Sequence, residues 1–251
     1  MRAVLDSADV LLCDADGNLF PSEEPAFVAS ARVTNAFLAA HGVDRRYAPE
    51  ELRLATTGKN FRTTAVDLLG GAAPADLDDW VRIERDEVTA HLGGSLRPDA
   101  DVRDPLARLA ERHRLAAVSS SASMRLGACF AATALADLFP VEVRFSAEDS
   151  LPVPASKPDP AVYLHALASM DVPPGRALAV EDSVPGVASA VAAGISTVGN
   201  LQFVRPAERA EREAALLRAG AVVVVRSWAE LEAMLVPSCS GPPRQLTIAP
   251  A

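Results

Sequence analysis

Aromatic side chains are scarce, at 5% of 251 residues, and this scarcity favours a site for a small polar metabolite over one that stacks a nucleobase. Cysteine is scarcer still. Cys13, Cys129 and Cys239 show neither Cys-x-x-Cys spacing nor a Cys/His ligand pattern, which argues against a zinc site or a disulfide framework and fits a reducing compartment. The four histidines, His41, His91, His113 and His165, fall within or at the ends of expected helices without metal-ligand spacing and read as surface residues. Basic blocks are missing. With a formal net charge of −9 and no dense Lys/Arg run, the chain lacks the electrostatic footprint of a nucleic-acid or membrane-surface binder. No apolar run is long enough to span a bilayer, and the stretch before Asp14 holds a single Arg2 and no sustained apolar segment, so neither a signal peptide nor an anchor is read. The expectation is a cytoplasmic protein with no nucleic acid and no membrane among its partners, a monomer or a homodimer. Its length suffices for one large core or a core plus a small lobe.

What the chain does contain is a rhythm of short apolar runs at 10–14, 115–119, 141–145, 177–181, 195–198 and 221–225, separated by helical stretches. Runs that are apolar throughout suit strands covered on both faces, and the intervals are long enough for crossovers, so an α/β fold with a parallel sheet is expected. The helices at 184–193 and 206–219 are closed by Gly194 and Gly220. One interval breaks the rhythm. Between Phe20 and Arg97 only helical patterns occur, at 25–40, 49–55, 60–69 and 75–92, followed by Gly93, Gly94 and Ser95 as an expected hinge. The reading is a discontinuous sheet domain, residues 1–19 and 97–236, a helical lobe at 20–96 beside the strand ends, and a flexible tail at 237–251.

Four positions at strand ends carry chemistry. The first is Asp14-Ala15-Asp16-Gly17-Asn18-Leu19, where two carboxylates meet the end of an apolar strand. Crowding ionised carboxylates there is costly unless they are coupled to a cation or to proton transfer; an ordinary Asp/Gly turn is the plain alternative. The second is Ser119-Ser120-Ser121, whose hydroxyls and N–H groups suit phosphoryl oxygens if a helix starts near Ser123, or which simply caps that helix. The third is Lys157, set between a Pro- and Ser-containing loop and Pro158-Asp159-Pro160, which pre-set a helix start. The fourth is Glu181-Asp182-Ser183, and its paired carboxylates together with Asp14 suit Mg²⁺, a hard ion that takes oxygen ligands.

With Asp14-Ala15-Asp16-Gly17, Ser119, Ser156-Lys157-Pro158 and Glu181-Asp182-Ser183 in that order, the chain resembles the haloacid dehalogenase superfamily of phosphohydrolases. The helical lobe resembles the C1-type cap of its phosphoglycolate phosphatase and β-phosphoglucomutase branch. The resemblance implies a Rossmann-like fold with that cap and hydrolysis through an aspartyl phosphate on Asp14, with Asp16 as general acid and then base. It implies that Ser119 hydrogen-bonds the transferring group and that Lys157 offsets the charge repulsion. It also implies Mg²⁺ held by Asp14, the backbone carbonyl of Asp16, and Asp182, with Glu181 as a further ligand or an outer-shell partner. Dehalogenases of the superfamily lack the second aspartate, so Asp16 disfavours carbon–halogen hydrolysis. Asn18 departs from the Thr or Val usual at its position. A cysteine phosphatase is disfavoured because a Cys-x5-Arg loop starting at Cys13 would need arginine at position 19, which is Leu19.

Substrate choice is expected from the lobe, at Thr56-Thr57-Gly58-Lys59-Asn60-Phe61-Arg62. Gly58, Lys59, Asn60 and Arg62 are candidates for binding the leaving group, with Ser120 and Phe20 lining the same pocket. A turn with Gly58 as C-cap and Asn60 as N-cap is the alternative. The expected function is a Mg²⁺-dependent phosphatase of a small phosphorylated metabolite, sugar-phosphate-like, with a phosphomutase and a non-catalytic binding protein as the other readings.

Overall fold

In the computed structural model the described residues are 8–56 and 59–235. Six strands, β1 (Val10–Cys13), β2 (Arg114–Ser119), β3 (Arg144–Ser146), β4 (Ala177–Glu181), β5 (Ser196–Asn200) and β6 (Val223–Val225), form one sheet in the order β3-β2-β1-β4-β5-β6. Every pairing is parallel. Successive side chains of a strand point to opposite faces, and both faces of this sheet are covered. Leu11 and Cys13 join one core with Leu106, Phe130 and Trp228, while Val10 and Leu12 join a second with Val162, Tyr163 and Ala166. The fold is α/β with a parallel sheet, as the apolar runs imply, and it is Rossmann-like, as the family resemblance implies.

Ten helices occur among the described residues. Four lie between β1 and β2: α1 (Glu23–Ala40), α2 (Pro49–Ala55), α3 (Phe61–Leu68) and α4 (Leu77–Ser95). They share a core of their own in which Phe37 meets Phe61 and Trp80 edge-on, at 5.9 and 5.7 Å between ring centres. The rest are α5 (Ala100–Ala110), α6 (Ser123–Ala132), α7 (Ala161–Met170), α8 (Val184–Ala192), α9 (Arg209–Ala219) and α10 (Trp228–Leu235).

Several sequence expectations change. Gly93, Gly94 and Ser95 are not a hinge, because α4 runs through them to Ser95. Two glycines cost a helix about 1 kcal/mol each, but Val88 and Leu92 on the same helix are buried in the sheet-domain core, and that burial outweighs the propensity. The run at 141–145 begins as a 3-10 turn, Val141–Val143, after Pro140, and pairs only from Arg144. All four histidines are half-buried rather than surface residues. His41 stacks on Phe37 at 4.4 Å, and His113 Nδ1 lies 2.9 Å from the Ala8 carbonyl. Gly58, Cys239 and the tail lie outside the described residues.

Candidate active site

Strand order reverses at β1, between β2 and β4, and the crevice beyond the carboxyl ends of such strands is where open α/β sheets bind ligands. Asp14 stands there. Its N–H donates to the Val180 carbonyl at 2.9 Å, extending the ladder one residue past β1, and the residue is buried. The loop beyond is held by Asn18, which is fully buried and donates from Nδ2 to the carbonyls of Asp14 (2.9 Å) and Val180 (3.0 Å). Its Oδ1 accepts from Asn200 Nδ2 at 2.8 Å. One amide therefore ties the ends of β1, β4 and β5 together, a role that Thr or Val could not fill.

Lys157 follows the long loop after β3, and its peptide bond to Pro158 is cis. The buried ammonium donates to Asp14 Oδ1 (2.5 Å), Glu181 Oε1 (2.7 Å) and the Val118 carbonyl (2.8 Å). Burial alone would lower its pKa, but the charges of Asp14 and Glu181 more than reverse this and hold it above the ordinary lysine value. Glu181 is fully enclosed and also accepts from the Tyr163 hydroxyl at 2.6 Å. Its carboxylate lies flat against Gly186, where any Cβ would collide with it.

Asp14 has its pKa pushed well above the carboxylate range by burial, with Lys157 opposing and Glu181 and Asp182 adding to the rise. Asp182 is raised to about 7, first by burial and then by Glu181, against Arg212 and Lys157. Its Oδ1 is buried without a hydrogen-bond partner among the described residues. Oxygens of Asp14, Glu181 and Asp182 lie within 4.8 Å of one another. An orphaned carboxylate oxygen in a crowd of like charges fits a hard divalent cation. Glu181 fits it less well than the sequence suggested, because Lys157 and Tyr163 already occupy Oε1. Gly17 shapes the same spot: it has φ +79°, and a Cβ there would fall 2.5 Å from Asp182 Oδ2.

Asp16 faces the opening from the other side. Oδ1 accepts from Ser22 (2.6 Å) and Arg125 (3.1 Å), and Oδ2 from Ser121 (2.7 Å) and Ser119 (3.4 Å). Burial raises its pKa, but the Arg125 charge and the bonds from Ser22 and Ser121 outweigh it and hold Asp16 below its usual value. The side chain is thus an anion saturated by donors. Ser119 is buried, and its Oγ accepts from the Ser121 N–H at 3.0 Å. Ser120 accepts from the Lys157 N–H at 3.3 Å and so helps to place the lysine.

Asp14, Asp16, Ser119, Ser120, Lys157 and Asp182 open into one cavity of about 860 Å³ between the sheet edge and the helical insertion. Lys59, Asn60 and Arg62 line its far wall. Lys59 is paired with Asp67 at 2.7 Å and Arg62 with Asp78. Asn60 caps α3 by accepting from the Thr63 N–H at 2.9 Å, so the capping alternative for that residue is realised alongside its place in the wall. Phe20 is not in the lining. It is fully buried and packs edge-on against Phe130 at 5.4 Å. Sequence reasoning missed Arg125, Ser22, Tyr163 and Glu84. Arg125 had a signal, since it stands four residues after Ser121 in the first turn of α6; the others depend on tertiary contacts.

Against known families, a model of haloacid dehalogenase-like hydrolases matches residues 8–194. The chain belongs to that family. Protein CbbY of Cereibacter sphaeroides is 33% identical over 200 residues, spanning 76% of this chain and 83% of that protein. The crystal structure of CbbY from Rhodobacter sphaeroides in complex with phosphate matches with TM-score 0.68 and 28% identity, covering 89% of this chain and 96% of that one. A mutant of the same protein in complex with xylulose-(1,5)bisphosphate gives TM-score 0.65 at the same identity and coverage. A putative beta-phosphoglucomutase from Thermotoga maritima matches with TM-score 0.66 and 25% identity, over 90% and 96% of the two chains. This haloacid dehalogenase-like protein is an enzyme of the phosphatase kind.

Proposed function

We propose that the enzyme hydrolyses a small, sugar-phosphate-like phosphomonoester through an aspartyl phosphate on Asp14, with Mg²⁺ as its cofactor. The observation that carries this reading is the convergence of Asp14, the Lys157 ammonium and the orphaned Asp182 oxygen on one mouth of the cavity. The binding of phosphate and of a sugar bisphosphate by CbbY supports the substrate class.

In the first displacement an Asp14 oxygen attacks phosphorus, and the bond to the ester oxygen breaks as that oxygen takes a proton from Asp16. In the second, Asp16 takes a proton from water, which attacks phosphorus and returns Asp14 as a carboxylate. The ionised Asp16 is in the form the second step needs. For the first it must carry a proton, so its four donors have to loosen as the leaving oxygen arrives. Lys157 offsets the charge between nucleophile and phosphoryl oxygens, and Ser119 donates to the transferring group. Asp14, Asp182 and the backbone carbonyl of Asp16 are the groups that would hold Mg²⁺, with Glu181 fixing Lys157. When bound, the ion supplies Lewis-acid stabilisation of phosphoryl charge. Residues 20–96 take the role of the cap, where Lys59, Asn60 and Arg62 face the leaving group, over a sheet domain of residues 1–19 and 97–236.

The test is phosphate release from a panel of sugar, polyol and small-acid phosphates, with Mg²⁺ or EDTA and with Asp14→Asn. Release that stops in EDTA and in the variant supports the proposal; release that persists in either overturns it. The likeness to a putative beta-phosphoglucomutase favours a mutase as the second reading, which a requirement for a bisphosphate activator would reveal.

A further inference from the structure

Six cationic side chains line the cavity, and each of them faces an acceptor. Lys59 is paired with Asp67, Arg62 with Asp78 and Arg85 with Asp86; Lys157 bonds Asp14 and Glu181, and Arg212 donates to the Asp182 carbonyl. Arg125 differs. Its Nη2 donates to Asp16 at 3.1 Å, but its Nε is buried with no hydrogen-bond partner among the described residues.

Glu84, on α4, lines the same cavity from the insertion. It is half-buried, and Ser30 of α1 lines the same cavity. Burial pushes its pKa up, with Ser30 and the Arg125 charge opposing, and Glu84 in turn favours the charged form of Arg125. Both side chains line the one cavity, Glu84 from α4 and Arg125 from α6.

A donor lacking a partner beside a carboxylate complements a hydroxyl, which accepts from the first and donates to the second. A second phosphate or a carboxylate would suit Arg125 alone. It would also be brought against Asp16 and Glu84, two carboxylates around one guanidinium, and such juxtaposition discriminates by repulsion.

We propose that Arg125 and Glu84 bind a hydroxyl of an uncharged polyol leaving group, and that Glu84 rejects leaving groups bearing a second anion. The assignment rests on the phosphatase reading and narrows its substrates to monophosphates of polyols and neutral sugars.

The test compares wild type, Glu84→Gln and Ser30→Ala with Mg²⁺ on four compounds: a hexitol monophosphate, a phosphorylated hydroxy acid, a sugar bisphosphate and p-nitrophenyl phosphate. Each kcat/KM is divided by that for p-nitrophenyl phosphate in the same variant, so that loss of folded protein cancels. Wild type is expected to favour the hexitol phosphate over both doubly anionic compounds. Glu84→Gln should lower the hexitol ratio about tenfold or more, the usual consequence of losing a charged hydrogen-bond partner, and should narrow the discrimination. Ser30→Ala should shift both in the same direction. Unchanged ratios in both variants, or wild-type preference for the hydroxy acid or the bisphosphate, overturn the assignment. Wild type inert towards all four, p-nitrophenyl phosphate included, overturns the hydrolase reading itself, whereas turnover with unchanged ratios overturns the Arg125–Glu84 assignment and leaves the hydrolase reading standing.

Discussion

The ammonium of Lys157 lies between two buried carboxylates, 2.5 Å from Asp14 and 2.7 Å from Glu181. Only one of them faces the cavity. The other, Glu181, fixes the lysine from behind, so that the position of the charge does not depend on a substrate being present. Lys157→Met removes the cation and leaves two like charges in an apolar setting. Breaking a buried pair in this way costs about 3–5 kcal/mol of stability, and losing a preorganised charge at the reacting group costs about 100-fold or more in kcat. Urea unfolding and phosphate release measure the two effects; a variant with near-normal kcat would remove Lys157 from the mechanism.

Asp182 ties stability to pH. Its pKa is near 7 in the folded, metal-free protein against an ordinary value of 3.8, so between about pH 4 and 7 the folded state holds a proton that the unfolded state has released. Stability therefore falls as pH rises through that window. A cation competes for the same oxygens and binds the deprotonated form. In EDTA the Tm should drop from pH 5 to pH 7.5, and Mg²⁺ should raise it more at pH 7.5 than at pH 5. Asp182→Asn should flatten both trends; a Tm response to Mg²⁺ that survives the substitution would place the ion elsewhere.

Much of this site is legible in the sequence because each strand run stops at its chemistry. The run at 177–181 matches β4 residue for residue, and the apolar run before Asp14 is uninterrupted because both faces of β1 are covered. The Gly93-Gly94-Ser95 segment misled because local propensity is weaker than the burial of Val88 and Leu92 one turn earlier. Phe20 misled because adjacency in sequence to Asp16 says nothing of direction, and its ring turns into the core against Phe130. Arg125 and Glu84 were invisible as partners because they are 41 residues apart, on helices that only the folded chain brings together.

Asn18 makes the loop after β1 sensitive to a neutral change. Asn18→Ala removes donors to the carbonyls of Asp14 and Val180 and the acceptor of Asn200 Nδ2, all in a buried setting. Each group left unsatisfied costs about 1–3 kcal/mol; the Val180 carbonyl keeps the Asp14 N–H, so the Asp14 carbonyl and Asn200 Nδ2 set the loss of unfolding free energy, and kcat falls through the displaced Asp14. Asn200→Ala should be milder, since it leaves both carbonyls paired. Chemical denaturation of the two variants gives the order, and the reverse order would mean that the amide is not the tie between the strands.

Charge also joins the insertion to the sheet domain away from the chemistry. Arg205, in the loop after β5, reaches Glu50 of α2 at 3.1 Å and Glu208 at 2.8 Å. Arg53 of α2 in turn reaches Glu50 at 2.8 Å and Glu208 at 3.6 Å. Hydrogen bonds from Arg53 and then Arg205 bring Glu50 down to about 2, but Arg205 and Glu50 are both more than half exposed. Solvent screening leaves such pairs little weight in global stability, whereas added salt weakens them selectively. Arg205→Ala should therefore leave the Tm nearly unchanged. If this network holds the insertion over the cavity, wild-type KM should vary with ionic strength and the variant's KM should not. Equal salt dependence in both proteins would show that the insertion is held by its apolar contacts, through Val88 and Leu92, and that the exposed pairs contribute nothing to its position.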